Sequence, residues 1–372
     1  MLTIIASQES ASPNGSIGAP VNSRLPLLRG YGGNIGYILG RPFGSRGPSI
    51  EAEVPEDSPL KALEKTLEIR KRVLGTSHPK TLKSMRTLAS QYASLGYHQK
   101  SIGMYEERVR AGSDVYGPED PRLLIIKNDL ALSYSRVKNF AAAAKIGEEI
   151  NEILPLAFSP EDTNFLTLRY NLGYFYEFQG ELSKSAAIYE EVLRVYKTSR
   201  GRDTRSLNLV LTGLESVYTR LGRYNDALRV CKDILELQQV SGGEESPQAL
   251  WTMKVIAQHY QSLRRTKDAV ATYERIFLIR QRTRGPEHQS TLNSLSDLAR
   301  AYIDDGQKEE AKKRLEEVLE VMERIRGQEH PDTLDLMDTI AMISLGGEIP
   351  KEDGNDDLDD VLQDLVDNMG IL

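Results

Sequence analysis

The chain has 372 residues, 27% of them charged and 40% in the large apolar set, which is enough to fold around a sizeable core. Its single cysteine, Cys231, excludes a disulfide-stapled framework, and no apolar run approaches the ~18 residues that a membrane span needs. The net charge of −7 is local: eight of the 54 acids and one of the 47 Lys/Arg residues fall within 351–372, so the remaining chain balances at 46 of each and lacks the basic excess of a nucleic-acid binder.

Residues 1–57 are rich in Gly, Pro and Ser and read as a flexible segment. The opening MLTIIASQES is too short for a secretory signal and has no basic residue before it. Within residues 1–50, Arg24, Arg29, Arg41 and Arg46 face one acid, Glu9, as in an import leader, but glycine and proline work against an amphipathic targeting helix. The expected location is cytoplasmic, with mitochondrial import the lesser alternative. The stretch GYGGNIG fails the GxGxxG pattern, and the sequon at Asn14 matters only in a secreted chain.

From residue 58 the chain repeats. Stepping by 42 residues gives Leu88, Leu130, Leu172, Leu214, Ile256, Leu298 and Ile340. Four residues on, the step gives Tyr92, Tyr134, Tyr176, Tyr218, Tyr260 and Tyr302. Chance would produce such a tyrosine column at a frequency on the order of 10⁻⁵ once every period and register is allowed for. A small column follows (Ser101, Ala143, Ser185, Ala227, Ala269, Ala311), then a glycine column (Gly75, Gly117, Gly201, Gly243, Gly285, Gly327) broken only by Ser159. Leu82, Met85, Leu88, Ala89, Tyr92 and Leu95 are spaced for one helical face, and Gly96, Gly180 or Gly222 then breaks the helix. A second helix carries the small column and, four residues later, Tyr105, Tyr189 or Tyr273. It ends in turns such as GTSHP and GPEDP, where proline cannot continue a helix and glycine suits a left-handed cap. The expectation is an all-α, right-handed superhelical solenoid of antiparallel helix pairs over 58–346. It comprises a capping helix at 59–74, six pairs over 81–331 and a capping helix at 332–345.

The order Leu-small-x-x-Tyr, the small column and the aromatic four residues on resembles the tetratricopeptide repeat, whose usual period is about 34 residues. The longer period here, with LEIRKRVLG and a following HP-x-TL, and with YERIFLIRQRTRGPEHQSTLNSLSDLARAY, is similar to the kinesin light chain type. Kinesin light chains join their motor through a heptad segment, and residues 1–57 show no heptads. A chain of this kind also resembles the repeat tail of multidomain sensor proteins, although no P-loop is present. The resemblance implies a partner groove lined by the first helix of each pair. Carried over by column, its residues are Lys83, Arg86, Asn128, Arg136, Tyr170, Tyr174, Phe178, Arg220, Lys254, Gln258 and Arg300. Those columns hold six basic residues against Glu177 and Asp304, so a partly basic groove for a protein or an acidic peptide is expected.

Residues 347–372 form an acidic tail. Leu358, Val361, Leu362, Leu365, Val366 and Met369 fall on one face of a helix at 357–369. By the resemblance, this segment docks in the chain's own groove as a cap or self-inhibitor; a solubilising tail is the alternative.

No catalytic constellation appears, and the chain reads as a non-enzymatic adaptor; a scaffold subunit of a multi-enzyme pathway and an unrecognised enzyme are the alternatives. His78, His288 and His330 share one turn column, and His98 opens a second helix. With neither HExxH nor CxxC, no metal and no cofactor are expected. Cys231, in the aromatic column, reads as a packing thiol. Three residues break the pattern: Lys127 and Arg169 at an apolar position, and Glu215 at a small one. Arg169 and Glu215 could pair across adjacent repeats, but snorkelling of the side chains to water is the favoured reading.

Overall fold

The computed structural model describes residues 58–198 and 204–344, together with Pro55. The helix placed at 357–369, the tail that would dock in the groove and the reading of residues 1–57 lie outside these residues. Fourteen helices occupy the described chain: α1 (Pro59–Leu74), α2 (Pro79–Ser94), α3 (His98–Ser113), α4 (Pro121–Arg136), α5 (Phe140–Ala157), α6 (Thr163–Gln179), α7 (Leu182–Thr198), α8 (Thr204–Arg220), α9 (Tyr224–Gly242), α10 (Pro247–Ser262), α11 (Thr266–Arg284), α12 (Gln289–Asp304), α13 (Lys308–Arg326) and α14 (Pro331–Ser344). Each packs on the next in sequence, as a repeat array requires, and α6 also touches α4 and α8 directly. The even-numbered helices, first in each pair, therefore form one side of the array.

The turns are built differently from the sequence expectation. Pro79, Pro121 and Pro247 do not end a helix. They are the first residues of the next one, where a missing N–H costs nothing. The residue before each is the N-cap. Asp120 and Asp162 accept from the backbone N–H groups of Arg122 (2.8 Å) and Asn164 (2.6 Å). His78 and His288 do the same with Nδ1, from Lys80 and Ser290, both at 3.1 Å. His78 and His288 thus have a structural task. Gly75 and Gly285 close their helices with φ of 90° and 92°, but their ψ of 157° and 163° lies outside the left-handed helical region, in a conformation open chiefly to glycine. Their carbonyls each accept the hydroxyl of the threonine six residues on, Thr81 and Thr291, at 2.8 Å.

The small columns bring the two helices of a pair together. Ala89, Ala131, Ala257 and Ala299 in the first helices are fully buried, as are Ala143, Ala227, Ala269 and Ala311 in the second. Where the second position is serine, its hydroxyl donates to the carbonyl across the crossing, Ser101 to Ala89 (2.9 Å) and Ser185 to Gly173 (2.8 Å). The tyrosine column ties each pair to the one before it. Tyr92, Tyr134, Tyr176, Tyr218 and Tyr302 donate to Glu64, Glu106, Glu148, Glu190 and Glu274, each 28 residues earlier on the preceding second helix. At Tyr260 the equivalent position is Lys232, whose ammonium lies 5.8 Å from the ring centroid instead. The core runs the length of the array as linked clusters, with half-buried Ile146 and Leu235 packing against more than one of them.

Candidate partner-binding face

The first helices are held in register by polar links between adjacent repeats, most of them 43 residues apart. Arg86 meets Asp129 (Nε to Oδ2, 3.1 Å). Asn171 donates to Asn128 (2.9 Å), and Arg220 donates to the Glu177 carbonyl (2.9 Å). Lys254 meets Asp297 (2.7 Å), and Gln261 donates to Asp304 (2.6 Å). Asp129 also takes Arg108 of α3 (2.6 Å), which donates in turn to the Leu82 carbonyl (3.1 Å). Burial pulls the Arg108 guanidinium below its ordinary range and the Asp129 charge opposes that shift.

These links sort the eleven positions carried over from sequence. Lys83, Arg136 and Gln258 are exposed. Arg86, Asn128, Arg220 and Lys254 are engaged in holding neighbouring repeats together, and Asn128 is buried. Arg300 is half-buried. Tyr170 lies against Tyr189 (ring centroids 5.3 Å apart), and burial pushes its hydroxyl well above the usual phenol range. Tyr174 joins Phe178 (4.8 Å) and Phe140 (6.3 Å), with Phe140 stacked on Phe178 at 5.2 Å. The carboxylates of Asp129 and Asp297 offset Arg86 and Lys254, so the face is less basic than column counting implied.

One residue of this face escaped the sequence reading. Trp251, the only tryptophan, occupies the Lys83 column and is 47% exposed; Phe178 is 39% exposed. Its signal was available, since a tryptophan in a column otherwise polar or aliphatic is an outlier.

The pattern-breaking residues find local partners. Lys127 reaches Glu149 (3.4 Å) and Arg169 reaches Glu191 (2.6 Å), each acid 22 residues later on the second helix of the same pair. Glu215 meets His259 (3.0 Å), so Arg169 and Glu215 each pair elsewhere. Cys231 is buried, and burial together with the Glu215 charge pushes its thiol well above the ordinary range, the opposite of an activated nucleophile. Among the described residues no helix is long and apolar enough to cross a membrane.

Two tetratricopeptide repeat family models match the chain, one at 206–277 and 256–324, the other at 60–80 and 165–205. No curated protein matches it. Among solved structures it is similar to the nearly identical TPR-like repeats of a Podosopora anserina protein assigned as a kinesin light chain (23% identity, 56% of this chain and 98% of that one, TM-score 0.47). It is also similar to BtubC of P. vanneervenii (17% identity, 63% and 89%, TM-score 0.39). A third is a signal transduction ATPase with numerous domains and a tetratricopeptide repeat sensor, from Pyrococcus horikoshii (14% identity, 83% and 47%, TM-score 0.48). Family models and helix array agree with the column pattern, and the chain is a tetratricopeptide repeat protein.

Proposed function

We propose that the protein is a non-catalytic adaptor that takes a peptide or protein partner along the face of its first helices. Tetratricopeptide repeats are in general protein-interaction modules. The observation that carries the reading is the combination on that face of exposed aromatic rings, Phe178 and Trp251, with the exposed cations Lys83 and Arg136. Aromatic side chains that stand in water on a rigid surface are suited to anchor a partner, because their burial on binding contributes most of the affinity such contacts supply. The exposed cations suit a partner with carboxylates. The polar links between repeats fix the spacing of these anchors, so little ordering remains to be done on binding. The acidic, leucine-bearing tail is a candidate occupant within the same chain.

The test is a binding titration of the full chain with a fluorescent acidic peptide that carries leucines, such as residues 351–372 in isolation, alongside a chain lacking those residues. Phe178→Ala with Trp251→Ala should weaken binding by about tenfold or more, each anchor being worth 1 kcal/mol or more. Arg136→Glu should weaken it further and flatten its salt dependence. Removal of the tail should tighten it. Binding indifferent to all three changes would move the partner to another face.

A further inference from the structure

Away from that face, three departures from the repeat converge at one junction. Glu215 of α8 stands in a column otherwise filled by alanine or glycine. Cys231 of α9 stands where Tyr105, Tyr189 and Tyr273 pack in other repeats. His259 of α10 occupies a position that is valine one repeat earlier and alanine one repeat later. Far apart along the chain, the three are brought together by the fold. A carboxylate oxygen of Glu215, Sγ of Cys231 and a ring nitrogen of His259 all lie within 4.8 Å of one another. Cys231 is 1% and His259 4% exposed.

Volume alone does not account for the choice. In the preceding repeat Tyr189 fills this space, so tightly that a Cβ on Gly173 or Gly213 would fall 2.7 Å from its ring. A change from tyrosine to cysteine makes room for a larger residue opposite. Leucine or methionine would fill that room without the cost of desolvating a carboxylate and an imidazole. What distinguishes the three residues is that each supplies a donor atom for a borderline-soft metal ion.

We propose that Glu215, Cys231 and His259 form a binding site for one divalent cation of the Zn²⁺ class, which fastens α8 and α9 of one repeat to α10 of the next. Zinc bonds of about 2.0–2.3 Å to nitrogen, oxygen and sulfur place tetrahedral ligand atoms roughly 3.5 Å apart, so atoms that lie within 4.8 Å of one another need to close by about 1.3 Å at most. His259 and Glu215 already meet at 3.0 Å. Thr219 donates its hydroxyl to the same Glu215 oxygen (3.0 Å) and orients the carboxylate. The Tyr224 ring, 6.2 Å from the imidazole, flanks His259. On binding, the Cys231 thiol gives up its proton to solvent and the thiolate takes the cation. A sulfur ligand selects against Ca²⁺ and Mg²⁺, which take oxygen donors. Three protein ligands leave a fourth position for water, and ligands that are drawn from three different helices suit the ion to the role of a clamp.

Titration of the chelator-treated full chain with Co²⁺ tests this. The chain has one cysteine, so a thiolate-to-cobalt charge-transfer band can come only from Cys231. The band should saturate at one equivalent and be bleached by Zn²⁺. It should vanish in Cys231→Ser, and the Co²⁺ affinity should fall by more than about tenfold in His259→Gln. Zn²⁺ at a hundredfold excess over its dissociation constant should raise the thermal midpoint of the natural chain by about 5 °C, and that of Cys231→Ser by much less. Helical dichroism and the midpoint in chelator show whether each variant folds. Absence of the band from the natural chain, a measurement that needs no variant, would reduce the cluster to polar packing. Equal Zn²⁺ stabilisation of the natural chain and a folded Cys231→Ser would assign the metal to surface acids and overturn the proposal.

Discussion

At the scale of single residues, the two glycines that enclose Tyr189 are set by its ring. Gly173 lies mid-helix, where alanine would ordinarily be the better helix former by about 1 kcal/mol. Yet a Cβ there would lie 2.7 Å from Tyr189 Cε1 and 3.3 Å from Ile188 Cγ2, and Tyr189 is fully buried. Gly173→Ala should therefore destabilise the protein by about 2 kcal/mol in urea unfolding, because the overpacking outweighs the helix propensity. Unchanged or raised stability would show that the ring has room to move. Glu177 accepts from Tyr189 (3.2 Å) and Ser216 (2.7 Å), and burial pushes its carboxyl above the usual range. Two repeats on, Gln261 accepts from Tyr273 at the same place (3.2 Å), so a neutral amide can serve this position. The tyrosine column carries a pH signature. The bond from Tyr134 to Glu106 (2.6 Å), helped by burial, pushes the phenol from 10.0 up to about 12. The folded chain then holds that proton more tightly than the unfolded chain. The bond's contribution is complete below pH 10 and is lost as pH rises to about 12. An alkaline absorbance titration of Glu106→Gln should show one tyrosine ionising nearer the ordinary value. An unaltered titration curve would mean the bond does not hold the proton.

At the scale of helices, the caps show how far the sequence could be read. The helix breaks were visible because glycine recurs at Gly96, Gly180, Gly222 and Gly306, all with positive φ. The same column holds Lys138 and Arg264, which adopt φ of 61° and 57° without being glycine. A side chain in that conformation is disfavoured by about 1 kcal/mol. Lys138→Gly and Arg264→Gly should each raise stability by about 0.5 kcal/mol after the entropy of glycine in the unfolded chain is allowed for. A loss of stability in both would indicate side-chain contacts that outweigh the strain. In the same way His78→Ala should lose about 1 kcal/mol, whereas His78→Asp, the residue used at Asp120, should keep it. Periodicity revealed the apolar faces because every repeat must bury the same stripe. It could not reveal that histidine caps a helix, since that depends on the ring nitrogen turning back onto Lys80. Nor did it reveal the partners of the tyrosines, although Glu64, Glu106, Glu148, Glu190 and Glu274 were present at the same 42-residue step. The first-helix columns were legible as positions but not as contacts. Whether Arg86 or Lys254 faces a partner or an acid of the next repeat is decided by a link that no single repeat contains.

At the scale of the whole array, each helix packs chiefly on its sequence neighbours, so stability is close to a sum of local terms. A cavity made in one repeat should be felt there and in the adjoining ones. Leu315 of α13 is 1% exposed, and Leu315→Ala should cost about 2–4 kcal/mol locally. Amide exchange should then accelerate through α12, α13 and α14 while α2 to α6 keep their natural protection. Uniform loss of protection along the chain would demonstrate long-range cooperativity instead. The clamp proposed between α8 and α10 would act against this locality, by adding a metal link between two repeats already joined by packing and by the hydrogen bond from Thr252 to Gln238 (2.8 Å).

The exposed Trp251 gives the chain an optical handle of its own. A lone indole in water emits red-shifted light, and the 17 tyrosines can be left unexcited by choice of wavelength. Emission from this protein is therefore the signal of one site on α10, two helical turns from His259. A partner seated over that ring would shift the emission to the blue and shield it from collisional quenchers. Metal bound at the far end of the same helix would leave its colour unchanged. Occupancy of the two sites could thus be followed separately in unlabelled protein.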